Sequence, residues 1–138
     1  PTSVLKMITE VQSRAPLFAI GLGHELFALA NGAKISQLNV EHHGSNHPIR
    51  EIITNEIFFA GQEQGYAVDP KSIDHAQLFI TYVDLVNGTV QGLRHRDYPA
   101  FSVQFSPDGA PGPKDSVGLF DDFMEIMARR RDNNDDRY

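Results

Sequence analysis

A chain of 138 residues that is 41% hydrophobic is sized for one globular domain with one modest core. Its formal net charge of -6 lacks the cationic footprint that phosphate backbones demand, so no nucleic-acid partner is expected. No apolar run approaches the roughly 18 residues of a membrane span, no basic-then-apolar signal segment opens the chain, and the absence of cysteine removes disulfides, thiolate metal sites and thiol nucleophiles together; a soluble, cytoplasmic protein with no cofactor is the expectation.

From Ser3 to Ser13, the residues Val4, Leu5, Met7, Ile8 and Val11 recur at spacings of three and four, the stripe of an amphipathic helix. Thr2 or Ser3 is the expected cap. The run Pro16 to Ile20 reads as a strand buried on both faces, as in a parallel sheet, and Gly21 breaks it. Leu22 to Ala30 then carries Leu26, Phe27, Leu29 and Ala30 and stops at Asn31-Gly32, a pair suited to closing a helix.

The pattern next turns to β. Ile35 to Val40, Glu56 to Ala60, Tyr66 to Val68, Leu78 to Val83, Thr89 to Leu93 and Phe101 to Phe105 are short runs between turn residues, with Asn87-Gly88 the clearest hairpin signal. Pro107 to Pro113 reads as a loop, and Val117, Leu119, Phe120, Phe123, Met124 and Met127 as a second helical stripe. Ala128 to Tyr138 has no apolar face and reads as a charged, flexible tail. With no internal repeat and no linker, the expected architecture is α/β with an antiparallel β portion, one domain over residues 1–127 and the tail over 128–138.

Several blocks then fall in the order of one family. Phe18-Ala19-Ile20-Gly21-Leu22-Gly23-His24-Glu25 resembles a nucleophile elbow, Phe-Gly-Ile-Cys-Leu-Gly-His-Gln. Gly44-Ser45-Asn46-His47-Pro48 follows, then Gly61-Gln62-Glu63-Gln64-Gly65-Tyr66-Ala67-Val68, similar to Ser-Gln-Asn-His-Gly-Phe-Ala-Val. Thr89-Val90-Gln91-Gly92-Leu93-Arg94-His95 and Phe101-Ser102-Val103-Gln104-Phe105-Ser106-Pro107-Asp108 resemble Thr-Val-Glu-Gly-Ile-Arg-His and Phe-Ser-Val-Gln-Phe-His-Pro-Glu. Together they resemble the later part of a class I glutamine amidotransferase domain of the carbamoyl phosphate synthetase small-subunit type, from about Val4 to Met127. The resemblance implies a partial class I fold, a mixed sheet with flanking helices.

In that family a cysteine on the strained turn attacks the glutamine amide, a histidine activates it, and a glutamate orients the histidine. By the resemblance those three positions are Gly21, Ser106 and Asp108 here, so no catalytic residue is intact. Gly21 has no side chain, Ser106 is no base at neutral pH, and Asp108 is one methylene short. Glycine at the elbow also relieves an unfavourable backbone.

The family's ligand-binding positions map to Leu22, whose N-H belongs to the oxyanion hole, and to Glu25, Glu63, Gly65 and Tyr66. Glu25 and Glu63 stand where the family has glutamine and asparagine. If both faced a surviving pocket they would repel a carboxylate and favour a cationic or ammonium-bearing small molecule; the plainer expectation is that they point into solvent.

His24, His42, His43 and His47 lack a closed ligand pattern, so no metal site is expected. Ser106, His95 and Asp97 lack the elbow motif of a serine hydrolase, and Arg129-Arg130-Arg131 reads as a solvated cluster. The leading expectation is a catalytically inactive amidotransferase-like domain that binds a partner or ligand. The family implies a carbamoyl phosphate synthetase large-subunit-like partner, serving pyrimidine and arginine biosynthesis. One alternative is an altered or truncated glutaminase subunit that natively supplies ammonia for carbamoyl phosphate synthesis. A second is a structural module that self-associates into an oligomer.

Overall fold

The computed structural model describes residues 2–37, 45–62, 65–106, 121, 125, 128 and 129. Helix α1 spans Thr2–Gln12, so Thr2 and Ser3 lie within its first turn rather than preceding it as a cap. Strand β1, Leu17–Ile20, turns at Gly21 into α2, Leu22–Ala30. The end of α2 is closed by two bonds, Gly32 N-H to Leu29 O and Ala33 N-H to Ala28 O, the paired pattern of a Schellman motif.

The β portion follows in order: β2 (Ile35–Gln37), β3 (Ser45–Glu51), β4 (Ile57–Gln62), β5 (Tyr66–Val68), a single 3-10 turn at Pro70–Ser72, β6 (Leu78–Asp84), β7 (Val90–His95) and β8 (Ala100–Val103). One mixed sheet results, ordered β1-β8-β7-β6-β3-β4, with β5 joining β7 and β2 joining β5. Only β1 and β8 run parallel, Leu17 opposite Ala100 through Ile20 opposite Val103. The remaining pairs are antiparallel, which matches the expected α/β architecture with its antiparallel portion.

Two expectations are corrected. Strand β1 is not buried on both faces: Leu17, Phe18 and Ala19 are half-buried and Ile20 is exposed, because β1 ends the sheet order and, among the described residues, pairs only with β8. Strand β3 is absent from the sequence expectation, since Asn46, His47, Pro48 and Arg50 do not show the apolar run by which a strand is read. It forms because both neighbours claim it, β4 along residues 45–50 and β6 along 49–51. Pro48 accepts from the Leu85 N-H at 2.9 Å, and having no N-H to return, it ends the β3–β6 ladder there.

Parity on β8 separates two packing layers. Phe101 and Val103 join Ile49, Phe58, Ala60, Tyr82 and Phe105 in one cluster, with Phe18 stacked on Phe101 at 4.3 Å between centroids. Within it, Phe58, Tyr82 and Phe105 meet edge to face at 5.0 to 6.0 Å, a favoured aromatic geometry. Ala100 faces the other way, into Phe27, Ala28, Val68, Leu78, Val90 and Leu93 beneath α1 and α2. Fully buried Phe27 alone contributes about 2–3 kcal/mol of apolar burial.

The expected loop over 107–113 and the apolar stripe over 117–127 lie outside the described residues. Asp121, Glu125, Ala128 and Arg129 are helical and exposed, with an Arg129–Glu125 ion pair one turn apart. Helix therefore reaches Ala128 and Arg129, which the sequence places in the flexible tail.

Candidate functional site

The site is built where β1 and β8 end together. Gly21 donates its N-H to Val103 O at 3.0 Å, so the strand-to-helix turn and the chain leaving β8 emerge from the same edge of the sheet. Gly21 sits at φ 60°, ψ -118°, a conformation that costs an L residue about 1–3 kcal/mol. A Cβ built there meets nothing within 4 Å. The elbow therefore keeps a backbone that any other residue would find strained and, among the described residues, open space in front of it, with no side chain to use either.

Leu22 opens α2 and is 70% exposed. The His24 and Glu25 N-H groups donate to Gly21 O at 3.0 and 3.3 Å, and the earlier Leu22 and Gly23 N-H groups belong to the positive end of α2, where a helix offers no acceptor of its own. Gly21 supplies no side-chain cap for them.

The even positions of β8 and its continuation face α2, and they make the contacts that hold the site. Ser102 Oγ meets His24 Nδ1 at 2.6 Å, both groups fully buried. Burial lowers the His24 pKa to about 4, opposed in part by the Val90 backbone. Burial therefore keeps the ring neutral in the interior.

Gln104 faces Glu25. Burial raises the Glu25 carboxyl above its ordinary value, with the Gln104 side-chain hydrogen bond pulling it back. Glu25 is only 7% exposed, which corrects the expectation that it points into solvent. The Gln104 side chain supplies the hydrogen bond that this inward carboxyl needs.

Strand β5 reaches β7 at Val68 opposite Val90, beyond the Gly92–Val103 pair where β8 ends, and it also packs against α2. That places Gly65, half-buried, and Tyr66, 50% exposed, beside the elbow end of the sheet. Ser106 is exposed on the segment leaving β8. Glu63 and Asp108 lie outside the described residues.

The competing constellations come apart. His24 pairs with Ser102 and His47 with Asp84, Nδ1 to Oδ2 at 2.7 Å, in separate buried sites. Among the described residues no group of three His, Asp or Glu side chains is placed to hold a metal; His42 and His43 fall outside them. His95 lies at the far end of β7, where its Nδ1 accepts the Asp97 and Tyr98 N-H groups at 3.0 and 3.3 Å. It lines a polar cleft of about 410 Å³ with Gln12, Asn31, Asp97 and Tyr98, at the opposite end of the sheet from Ser106. The Ser106, His95 and Asp97 set therefore cannot meet.

Sequence reasoning missed Ser102 and Gln104 as supports of the site. The alternation along Phe101 to Phe105 was the available signal, because it sends Ser102 and Gln104 to the face of α2.

Residues 2–126 match the family model of class-I glutamine amidotransferases. The chain is 55% identical over 124 residues to the carbamoyl phosphate synthase pyrimidine-specific small chain of Lactiplantibacillus plantarum, covering 90% of this chain and 34% of that one. It is 50% identical over 130 residues to the carbamoyl phosphate synthase small chain of Lactococcus lactis subsp. lactis, covering 92% and 36%. The chain thus spans about a third of the length of these curated relatives. Among solved structures, a protein assigned to GMP synthase from Thermoplasma acidophilum superposes with TM-score 0.67 at 19% identity, over 97% of this chain and 67% of that one. A glutamine amidotransferase from Thermotoga maritima does so with TM-score 0.62 at 13% identity, over 94% and 56%; both likenesses speak for the fold.

Proposed function

The chain belongs to the class-I glutamine amidotransferases, and from that membership we propose that it is a glutaminase-silent domain of the carbamoyl phosphate synthase small-chain type that acts by binding. The observation that carries this reading is Gly21 at the elbow of a chain without cysteine. A thioester needs a thiolate on that turn, and none is available. Ser106 and Asp108 in place of the base and its orienting acid point the same way. Residues 1–127 are the amidotransferase-like unit and 128–138 its charged extension.

Binding has two candidate faces. One is the elbow, to which the resemblance assigns the Leu22 N-H, Glu25, Glu63, Gly65 and Tyr66. A buried carboxylate on the floor of such a site disfavours a ligand carboxylate and favours an amide or ammonium group. The other is a partner of the large-subunit kind, as the resemblance to carbamoyl phosphate synthase small chains suggests. A cytoplasmic location suits both.

Ammonia release from glutamine by the purified chain, with and without a synthase large subunit, is the test. The expected result is release at the buffer rate in both arms; chain-dependent release would overturn the proposal.

A second reading, an altered glutaminase subunit, gains support from the retained elbow geometry and the open space before Gly21. Under it, joint replacement Gly21→Cys, Ser106→His, Asp108→Glu and Glu25→Gln restores a glutamine-dependent thioester, seen as a burst of ammonia.

A further inference from the structure

Strand β4 offers an open edge with unusual composition. It closes the sheet on the side away from β1, and among the described residues it pairs only with β3. Glu51 N-H bonds Glu56 O, and alternation along an antiparallel pair then turns the N-H and C=O of Phe58 and Ala60 toward β3 and those of Ile57, Phe59 and Gly61 outward. Edges of this kind are normally blunted by Lys, Pro or a bulge. Ile57 to Gly61 contains no Lys, no Pro and no charge of any sign, and its ladder with β3 is regular. Ile57 and Phe59 are 57% and 65% exposed.

We propose that β4 is a self-association edge, on which a second copy of this chain adds its own β4 antiparallel about a two-fold axis through Phe59. The outward positions are symmetric about that residue. Phe59 exchanges both main-chain bonds with Phe59 of the second copy, and Ile57 does so with Gly61 of the second copy. The side chains fit the same register: each Ile57 faces a glycine, and the two Phe59 rings meet as a cross-strand aromatic pair.

The charge distribution is compatible with this edge. Two copies at net charge -6 repel over most of their surfaces, and an uncharged strip places no like charges opposite one another. A single strand edge falls at the small end of interface sizes, so the dimer forms only as concentration rises. The contact is separate from the elbow and does not rest on the amidotransferase reading.

Sedimentation velocity over a wide concentration range should show a mass rising from 15.4 kDa toward twice that value. Phe59→Lys, which leaves every β3 bond in place, weakens association by roughly tenfold or more. Gly61→Val is the sharper variant, since among the described residues a Cβ there meets only Asn46 Oδ1, at 3.6 Å; it leaves thermal stability near wild type and weakens the dimer by collision with Ile57 of the second copy. Because the chain has no cysteine, Phe59→Cys reports directly. The facing Cα atoms of such a pair lie about 5.5 Å apart, within disulfide reach, so mild oxidant links two copies faster than in a Met7→Cys control on α1. A monomer at every concentration, a dimer unaffected by Phe59→Lys and Gly61→Val, or equal cross-linking of the two cysteine variants would overturn the proposal.

Discussion

At Gly21 an unfavourable backbone coincides with empty space, and the two have opposite effects on a substitution. Gly21→Cys meets no neighbour within 4 Å but must adopt φ 60°, ψ -118°, so it should lower the unfolding free energy by about 1–3 kcal/mol, read from urea midpoints, while leaving the thiol open to reagent. Its thiolate would feel the α2 N-terminus, which stabilises it, and the Glu25 carboxyl one turn on, which destabilises it when ionised. Adding Glu25→Gln should therefore shift the pH midpoint of iodoacetamide reaction downward. An unmoved midpoint would mean that the Glu25 carboxyl does not act on the elbow. The missing nucleophile was readable in the sequence, because a residue type is either present or absent. The inward turn of Glu25 was not, since it depends on Gln104 arriving from β8, some eighty residues along the chain.

At the scale of elements, strands with apolar alternation were legible and β3 was not. Residues 45–51 carry a histidine, an arginine and a proline, and the strand is held by what the rest of the fold puts beside it. Asp84 is the clearest support. Fully buried, it takes His47 on Oδ2 while Oδ1 accepts the Val86 and Asn87 N-H groups that shape the turn into β7. That turn closes at Gly88, φ 74°, as Asn87-Gly88 had indicated. Asp84→Ala removes all these bonds and strands a buried imidazole nitrogen, so a loss of about 2–4 kcal/mol is expected, with a double-mutant cycle against His47→Ala showing strong coupling. Additive losses would mean that the pair does not tie β3 to β6. Gly92, at the centre of β7, is a second element-scale test: a Cβ would run into the Tyr82 ring and Thr81 Oγ1. Gly92→Ala should cost about 1–3 kcal/mol by overpacking, measured by thermal melting. The sequence showed Gly92 as one letter of a familiar block, without the neighbours that make it obligatory.

Over the whole molecule, ordered blocks from about Val4 to Met127 specified the family and the mixed sheet, because a fold shared by ancestry is carried by many positions at once. What they left open is electrostatic, and it governs how the protein responds to pH. His24, lowered to about 4, stays neutral in the fold while the unfolded chain takes up protons near 6.5, and His95 is shifted in the same direction by burial against the opposing charge of Asp97. As pH falls from 6.5 toward 4 the unfolded state binds more protons, so both imidazoles reduce stability with acid. Glu25 has the opposite sign: raised above 4.5, it favours the fold while protonated and loses that contribution as pH rises through its folded value. Two imidazoles thus act against one carboxyl across the window from 4.5 to 6.5, and unfolding free energy should climb with pH there, by up to about 1.4 kcal/mol per unit for each net proton. Urea titrations at half-unit steps from pH 4.5 to 7.5 measure the slope, and His24→Asn should flatten it relative to wild type. A curve that stays level or falls across that window would show that His24 is not held neutral against Ser102.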